Sequence, residues 1–227
     1  REPGIVTVGE AWGADVEQAK LYSNPDCSEL SMVFQFQHII QDEIPGGNKW
    51  DRRPLYLPEL KKVIGAWQRG LRGCGWNSLF WENHDLPRIV SRWGNDKEYR
   101  ETSAKMLATL LFGLQGTPYI YQGQELGLAN VDFASINEIN DVESHNLYQE
   151  LCGKMPSEEA WKRILAGTRD HARAPMPWNA GPNGGFTAGT PWLRMADGWQ
   201  TCNAADEMRD PDSVFHYYKK LIALRRE

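Results

Sequence analysis

Short runs of consecutive apolar residues alternate along this chain with segments whose apolar residues recur every three or four positions. Residues 5–8, 31–36, 76–81 and 119–121 carry the first pattern and predict strands, with Met32, Phe34 and Phe36 sharing one face. The second pattern predicts helices. One covers residues 15–22 and ends in the turn-forming Ser23-Asn24-Pro25-Asp26. Another carries Leu57, Leu60, Ile64, Trp67 and Leu71, and a third covers 99–114 along Leu107, Leu110, Leu111 and Leu114, with Gly116 just beyond its end. A polar loop with Pro45-Gly46-Gly47 precedes the second helix. Strand followed by helix, repeated four times, predicts an α/β fold with parallel strands and right-handed crossovers. The pattern alone fits half of an eightfold barrel and a small doubly wound sheet equally.

After residue 128 the rhythm breaks. Residues 129–209 predict an irregular excursion, with helices near 141–152 and 157–165 and then a stretch rich in Gly, Pro and Trp over 174–198. Asp210-Pro211 reads as an N-cap with proline at the first helical position. The final helix, in 210–227, would turn Val214, Tyr217, Tyr218, Leu221 and Leu224 inward.

Charge and composition narrow the classes. The formal charge is −5 over 227 residues, and the basic pairs Lys61-Lys62 and Arg225-Arg226 read as solvated helix faces, so no nucleic-acid partner is expected. No stretch approaches the roughly 18–20 apolar residues of a membrane span, so no membrane partner is expected either. Cys27, Cys74, Cys152 and Cys202 lie far apart without a Cys-x-x-Cys pair, which predicts reduced, buried thiols. With no secretory segment in view, the expectation is a cytoplasmic protein. The opening Arg1-Glu2-Pro3 lacks an initiating methionine and reads as the edge of a longer chain. Most of the ten tryptophans are expected in the core.

The candidate chemistry lies at strand ends. Glu10 follows the first apolar run, and Asn83-His84-Asp85 follows the third before Pro87 stops it. Active sites of parallel-strand enzymes lie at the carboxyl ends of the strands. Two carboxylates there suit glycoside hydrolysis, in which one donates a proton while another stays ionised. The simpler reading makes Glu10 a solvated side chain and Asp85 a turn cap. Further on, Arg169-Asp170 reads as a local ion pair and Arg173 as a loop arginine. His38, His145, His171 and His216 show no metal-ligand spacing, and no metal is expected. A P-loop, a Gly-x-Gly-x-x-Gly fingerprint and a serine nucleophile elbow are all missing, and Gly123-Gln124-Glu125-Leu126-Gly127 lacks the lysine of a phosphate loop.

Longer runs carry a family resemblance. Thr7-Val8-Gly9-Glu10-Ala11-Trp12-Gly13, Glu29-Leu30-Ser31-Met32-Val33-Phe34-Gln35-Phe36, Gly75-Trp76-Asn77-Ser78-Leu79-Phe80-Trp81 with Asn83-His84-Asp85, Gly116-Thr117-Pro118-Tyr119-Ile120-Tyr121-Gln122-Gly123, and Ala172-Arg173 with Pro175-Met176 are similar to motifs of the α-amylase superfamily. The chain resembles its oligo-1,6-glucosidase and dextran glucosidase (glucan 1,6-α-glucosidase) branch. The resemblance implies a TIM (β/α)8 barrel, here its second half: strands five to eight with their helices in 1–128, the excursion after strand eight in 129–209, and the last barrel helix in 210–227.

It also implies roles. Glu10 resembles the general acid/base, Asp85 the carboxylate that stabilises the transition state, and His84 and Arg173 groups that bind the sugar in subsite −1. Trp12, Lys49 and Glu143 resemble contacts in subsite +1. The implied activity is retaining, exo-acting cleavage of α-1,6-linked gluco-oligosaccharides, with an α-glucan oligosaccharide as partner and no cofactor. The family's nucleophilic aspartate belongs to a fourth strand upstream, about 5–5.5 Å from the acid/base in a retaining enzyme. The chain alone is therefore expected to be inactive, and its open sheet edges to pair with the other half of the barrel or with a second copy. Glu82, where the branch usually has asparagine, would place a second charge beside Asp85 and raise the pKa of either group. A sucrose- or trehalose-type glucosyl hydrolase or isomerase, and a non-catalytic barrel protein, are the competing readings. Retention of Glu10, His84, Asp85 and Arg173 together disfavours the non-catalytic one.

Overall fold

In the computed structural model, residues 4–26 and 29–227 are described, and Cys27 and the Arg1-Glu2-Pro3 opening lie outside them. The chain divides into two compact units. The first comprises the residues up to Glu43, Arg53–Trp81 and Leu110–Tyr119, and the second comprises Ile44–Arg52, Glu82–Thr109 and Ile120–Glu227.

The first unit holds a parallel four-stranded sheet in sequential order: β1 (Val8–Glu10), β2 (Met32–Phe34), β3 (Asn77–Leu79) and β4 (Thr117–Pro118). Helix α1 (Val16–Tyr22) starts at a reciprocal capping box in which Asp15 Oδ1 accepts from Gln18 N and Gln18 Oε1 accepts from Asp15 N. Helix α2 (Leu57–Gly70) joins β2 to β3. Strand side chains alternate between faces. Accordingly Val33 packs with Ala19, Trp67 and Leu71 beneath the two helices. Phe34 points the other way, with its ring centroid 5.3 Å from that of Phe80 and 4.6 Å from that of Tyr119.

Two strands begin later or end sooner than their apolar runs suggest. The apolar run at residues 5–8 predicts a strand; pairing starts only at Val8, and Ile5, Val6 and Val8 are exposed, because among the described residues β1 pairs on one side alone. The fourth strand falls on Thr117–Pro118 instead of 119–121. Proline lacks an N–H, so it suits a strand paired on one side only. Gly116 precedes it at φ +139°, where a Cβ would lie 2.5 Å from Asn77 O; only glycine lets this strand approach β3 so closely.

The remaining helices are α3 (Ile89–Trp93), α4 (Arg100–Gly113), α5 (Val142–Cys152), α6 (Ser157–Gly167), α7 (Asp170–Arg173), α8 (Ala204–Arg209) and α9 (Val214–Arg226). Of these α3, α7 and α8 are too short to leave a periodic trace in the sequence. Within the second unit, Trp50, Val131, Phe133, Ile139, Ile164, Ala174 and Ala196 form one buried cluster. Helix α9 begins at Ser213, whose Oγ accepts from His216 N at 3.2 Å, not at Asp210-Pro211 as expected. The serine offers an acceptor at N-cap geometry, which displaces the start three residues onward.

Two compositional expectations fail. Trp50, Trp67 and Trp81 are buried, but Trp12, Trp76, Trp178 and Trp192 are exposed, so the tryptophans are mostly not core. Cys74, Cys152 and Cys202 are free thiols, yet only Cys202 is buried and Cys152 is exposed. Among the described residues, no helix is long and apolar enough to cross a membrane.

Candidate active site

The second unit assembles its charges around Asp85. This residue does not sit at the strand tip: β3 ends at Leu79, and His84 and Asp85 occupy a turn beyond it. Asn83 Oδ1 accepts the Asp85 N–H at 2.9 Å and closes that turn. Asp85 Oδ1 then accepts from Arg173 Nη2 at 2.9 Å, while Arg173 Nε donates to His84 O, also at 2.9 Å. One planar guanidinium thus grips both the backbone and the carboxylate of the turn, a geometry lysine cannot reproduce. His84 Nε2 lies 3.3 Å from Asp85 Oδ2, and both side chains remain substantially exposed.

Arg169 is the residue the sequence did not reveal. It does not pair with Asp170. Its Nε and Nη2 donate to Asp141 Oδ1 at 3.0 and 2.6 Å, and its Nη groups reach Glu143 Oε2 at 3.3 Å and Asp85 Oδ1 at 3.6 Å. Asp170 instead turns back, and its Oδ2 accepts the N–H groups of Asn140 and Asp141 at 2.6 and 2.9 Å. The Asp141 carboxylate is almost fully buried. Burial works against its charge, but hydrogen bonds from Arg169 and Ser144 and the charges of Arg169 and Lys49 more than offset this. The Asp141 pKa is therefore lowered. Lys49 Nζ meets Glu143 Oε2 at 2.5 Å and lies 4.7 Å from the centroid of the buried Trp50 ring. Lys49, Glu143, Arg169, Asp85, Arg173 and His84 therefore form one continuous polar chain along the second unit.

Glu82 does not crowd Asp85. Its carboxylate is buried, with Oε2 accepting from Arg88 Nη1 and Oε1 from Ile89 N, both at 2.9 Å. Its pKa is raised, with burial as the main cause and Arg88 opposing it; Asp85 plays no part. His171 is also buried. Its Nε2–H donates to Leu165 O at 2.8 Å and its Nδ1 accepts the Val131 N–H at 3.1 Å, which fixes one neutral tautomer. Burial pushes its pKa down to about 4.

In the first unit, Glu10 ends β1 and its carboxylate is exposed, with no hydrogen-bond or ion-pair partner among the described residues. Trp12 follows, largely exposed, its ring 4.6 Å from that of Phe36. Gly9, Glu10, Ala11, Trp12, Gln18 and Tyr22 help to line an open hollow of about 550 Å³.

The alpha-amylase catalytic-domain family matches over residues 1–227. The chain belongs to that family. Its fold is therefore that of a TIM-barrel family, and the four sequential parallel strands agree with this. Oligo-1,6-glucosidase of Halalkalibacterium halodurans is 50% identical over 98% of this chain and 40% of its own length. Glucan 1,6-alpha-glucosidase of Streptococcus pneumoniae is 48% identical over 98% of the chain and 42% of its own length. The crystal structure of Bacillus licheniformis trehalose-6-phosphate hydrolase superimposes with a TM-score of 0.93 at 48% identity, covering 97% of this chain and 40% of that one. The chain thus spans about 40% of the length of the curated relatives it matches.

Proposed function

We propose that these 227 residues are strands five to eight, with their helices, of the (β/α)8 barrel of a retaining, exo-acting α-glucosidase that cleaves α-1,6-linked gluco-oligosaccharides. The observation that carries this reading is the Asp85 turn, gripped by Arg173 and flanked by His84. An ionised carboxylate fixed by arginines is suited to stabilising positive charge that develops on a sugar ring. The 47–51% identity to oligo-1,6-glucosidases supports the linkage. In the domain layout, residues 1–128 supply the barrel units, 129–209 the excursion after strand eight and 210–227 the closing helix.

Glu10 is the general acid/base. It protonates the departing glycosidic oxygen and then deprotonates the water that releases the glucosyl-enzyme. Asp85 stabilises the oxocarbenium-like transition state, and His84 and Arg173 hold the glucose in subsite −1. Trp12, Lys49 and Glu143 contact the next sugar. The nucleophile comes from a part of the parent protein outside this sequence, so the isolated chain is inactive. Strands β1 and β4 each pair on one side within the sheet, and in isolation their open edges lead the chain to self-associate.

Release of glucose from isomaltose by the full-length protein tests the reading, with trehalose 6-phosphate and sucrose as alternative substrates. Those two are the relevant competitors because Bacillus subtilis trehalose-6-phosphate hydrolase is 47% identical and Erwinia rhapontici isomaltulose synthase 37% identical to the chain. Faster turnover of either would overturn the α-1,6 assignment. Glucose release by the isolated chain at the rate of the full-length enzyme would overturn the location of the nucleophile. Light scattering from a clean monomer of the isolated chain would overturn the self-association.

A further inference from the structure

The Asp85 turn is held at its apex by Arg173, and its base carries a second arginine that no role above uses. Residues 82–89 form a closed loop because one carboxylate ties both ends: Glu82 Oε1 accepts from Ile89 N and Oε2 from Arg88 Nη1. Arg88 and Glu82 are essentially inaccessible to solvent. Beyond Glu82, Arg88 Nη1 donates to Gln122 O at 2.7 Å and Nη2 to Ala172 O at 3.5 Å. Its backbone N–H donates to Asn130 Oδ1 at 2.8 Å. Ala172 O also accepts from Tyr121 OH at 3.2 Å, and the Tyr121 ring lies 5.4 Å from the Arg88 guanidinium carbon.

We propose that Arg88, with Glu82 as its counter-ion, is a positioning residue that sets where Asp85 and Arg173 meet. Ala172 and Arg173 are consecutive, so the C-terminal end of α7 is tied twice to the same loop, by Arg88 at the base and by Arg173 at the apex. Freedom at the base is freedom at the apex. A lysine at position 88 would keep the charge that Glu82 needs, but one ammonium cannot span Glu82, Gln122 and Ala172 in the plane a guanidinium occupies. The kinetic part of this inference rests on the glucosidase reading, while the positioning part does not.

The test uses the full-length protein, its R88K and E82Q variants, kinetics on isomaltose, and hydrogen exchange of peptides covering residues 83–86 and 170–174. R88K should lose roughly tenfold or more in kcat with KM changed less than about threefold, since misplacing a fixed catalytic group is costly. Exchange in those two peptides should rise about tenfold while a peptide from α2 stays unchanged, as expected for local opening. E82Q should repeat the pattern at about threefold, because the glutamine still offers one acceptor. A folded R88K with kcat within about twofold of the parent and unchanged exchange would overturn the proposal. So would a uniform rise in exchange across all peptides, which is the signature of global destabilisation alone. If R88K does not accumulate as folded protein, E82Q decides by the same two readouts. A parent inert on isomaltose overturns the glucosidase reading, and exchange then decides the positioning role alone.

Discussion

Glu10 closes one strand and Asp85 lies in the turn beyond another, and the chain treats the two carboxylates in opposite ways. Asp85 is gripped by Arg173, approached by Arg169 and flanked by His84, and its turn is closed again by Asn83 and Glu82. Glu10 ends an edge strand with an exposed, unpartnered side chain among the described residues. The difference matches the work proposed for each. A group that must stay ionised gains from fixed positive neighbours, whereas a group that gives up and recovers a proton would be impaired by them. Local chain chemistry thus completes one carboxylate's environment and leaves the other's to whatever the sugar and the rest of the parent protein bring.

The largest expected effect separates the two directly. In the full-length protein, Glu10→Gln should cost about 10²–10⁴ in kcat, the range for the general acid/base role proposed for it, with the melting temperature unchanged. Asp85→Asn should cost about 10²–10³ in kcat and also lower stability by about 1 kcal/mol, because two partly exposed arginines lose a charged acceptor. Kinetics and thermal melts on both variants read the contrast. Equal stability losses would remove the distinction between a clamped and an open carboxylate.

The second unit should lose stability with acid. His171 is buried as a neutral tautomer with a folded pKa of about 4, against an unfolded value of about 6.5. A histidine depressed in the folded state contributes fully above about pH 6.5, and the contribution drains away as pH falls toward about 4. The shift corresponds to about 3 kcal/mol across that window. Urea unfolding at several pH values should show this fall, and His171→Gln should flatten it. A wild-type profile no steeper than that of the variant would show that the ring's burial does not govern acid sensitivity.

A smaller effect comes from Gly167, the last residue of α6, where a Cβ would lie 2.6 Å from Trp50 Cε3 and 2.9 Å from Lys49 O. Gly167→Ala should destabilise by about 1–3 kcal/mol, as overpacked cores do. It should also raise KM, because the Trp50 ring it displaces carries Lys49. A loss of stability with KM unchanged would separate the buried cluster from the polar chain above it.

Which parts of this were legible beforehand follows from contact range. Glu10, Trp12 and the Asn83-His84-Asp85 triplet, to which roles are proposed above, sit inside contiguous motifs, and α2 and α4 repeat apolar residues long enough to be seen. Arg169 was hidden because Asp170 offered a nearer counter-charge, while its real partners, Asp141, Glu143 and Asp85, are distant in sequence. Glu82 was misjudged for the same reason: proximity to Asp85 in sequence outweighed a buried arginine six residues on. The start of β1 was misplaced because an apolar run does not say whether both of its edges are paired.

The smallest expected effect tests how far the clamp extends. Lys49 and Glu143 pair at 2.5 Å, but both side chains keep solvent contact, so the pair itself should contribute no more than about 1 kcal/mol. Lys49→Ala should therefore leave the melt almost unchanged. Its consequence should appear in catalysis: Glu143, released from Lys49, can pair more closely with Arg169, which draws that guanidinium away from Asp85. KM for isomaltose should rise several-fold from loss of the sugar contact proposed for Lys49, with a smaller fall in kcat from the shifted arginine. In an Arg169→Met background the kcat component should disappear while the KM component stays, which a double-mutant cycle reads directly. If the kcat component persists without Arg169, the polar chain ends at Glu143 and Asp85 is governed by Arg173 alone.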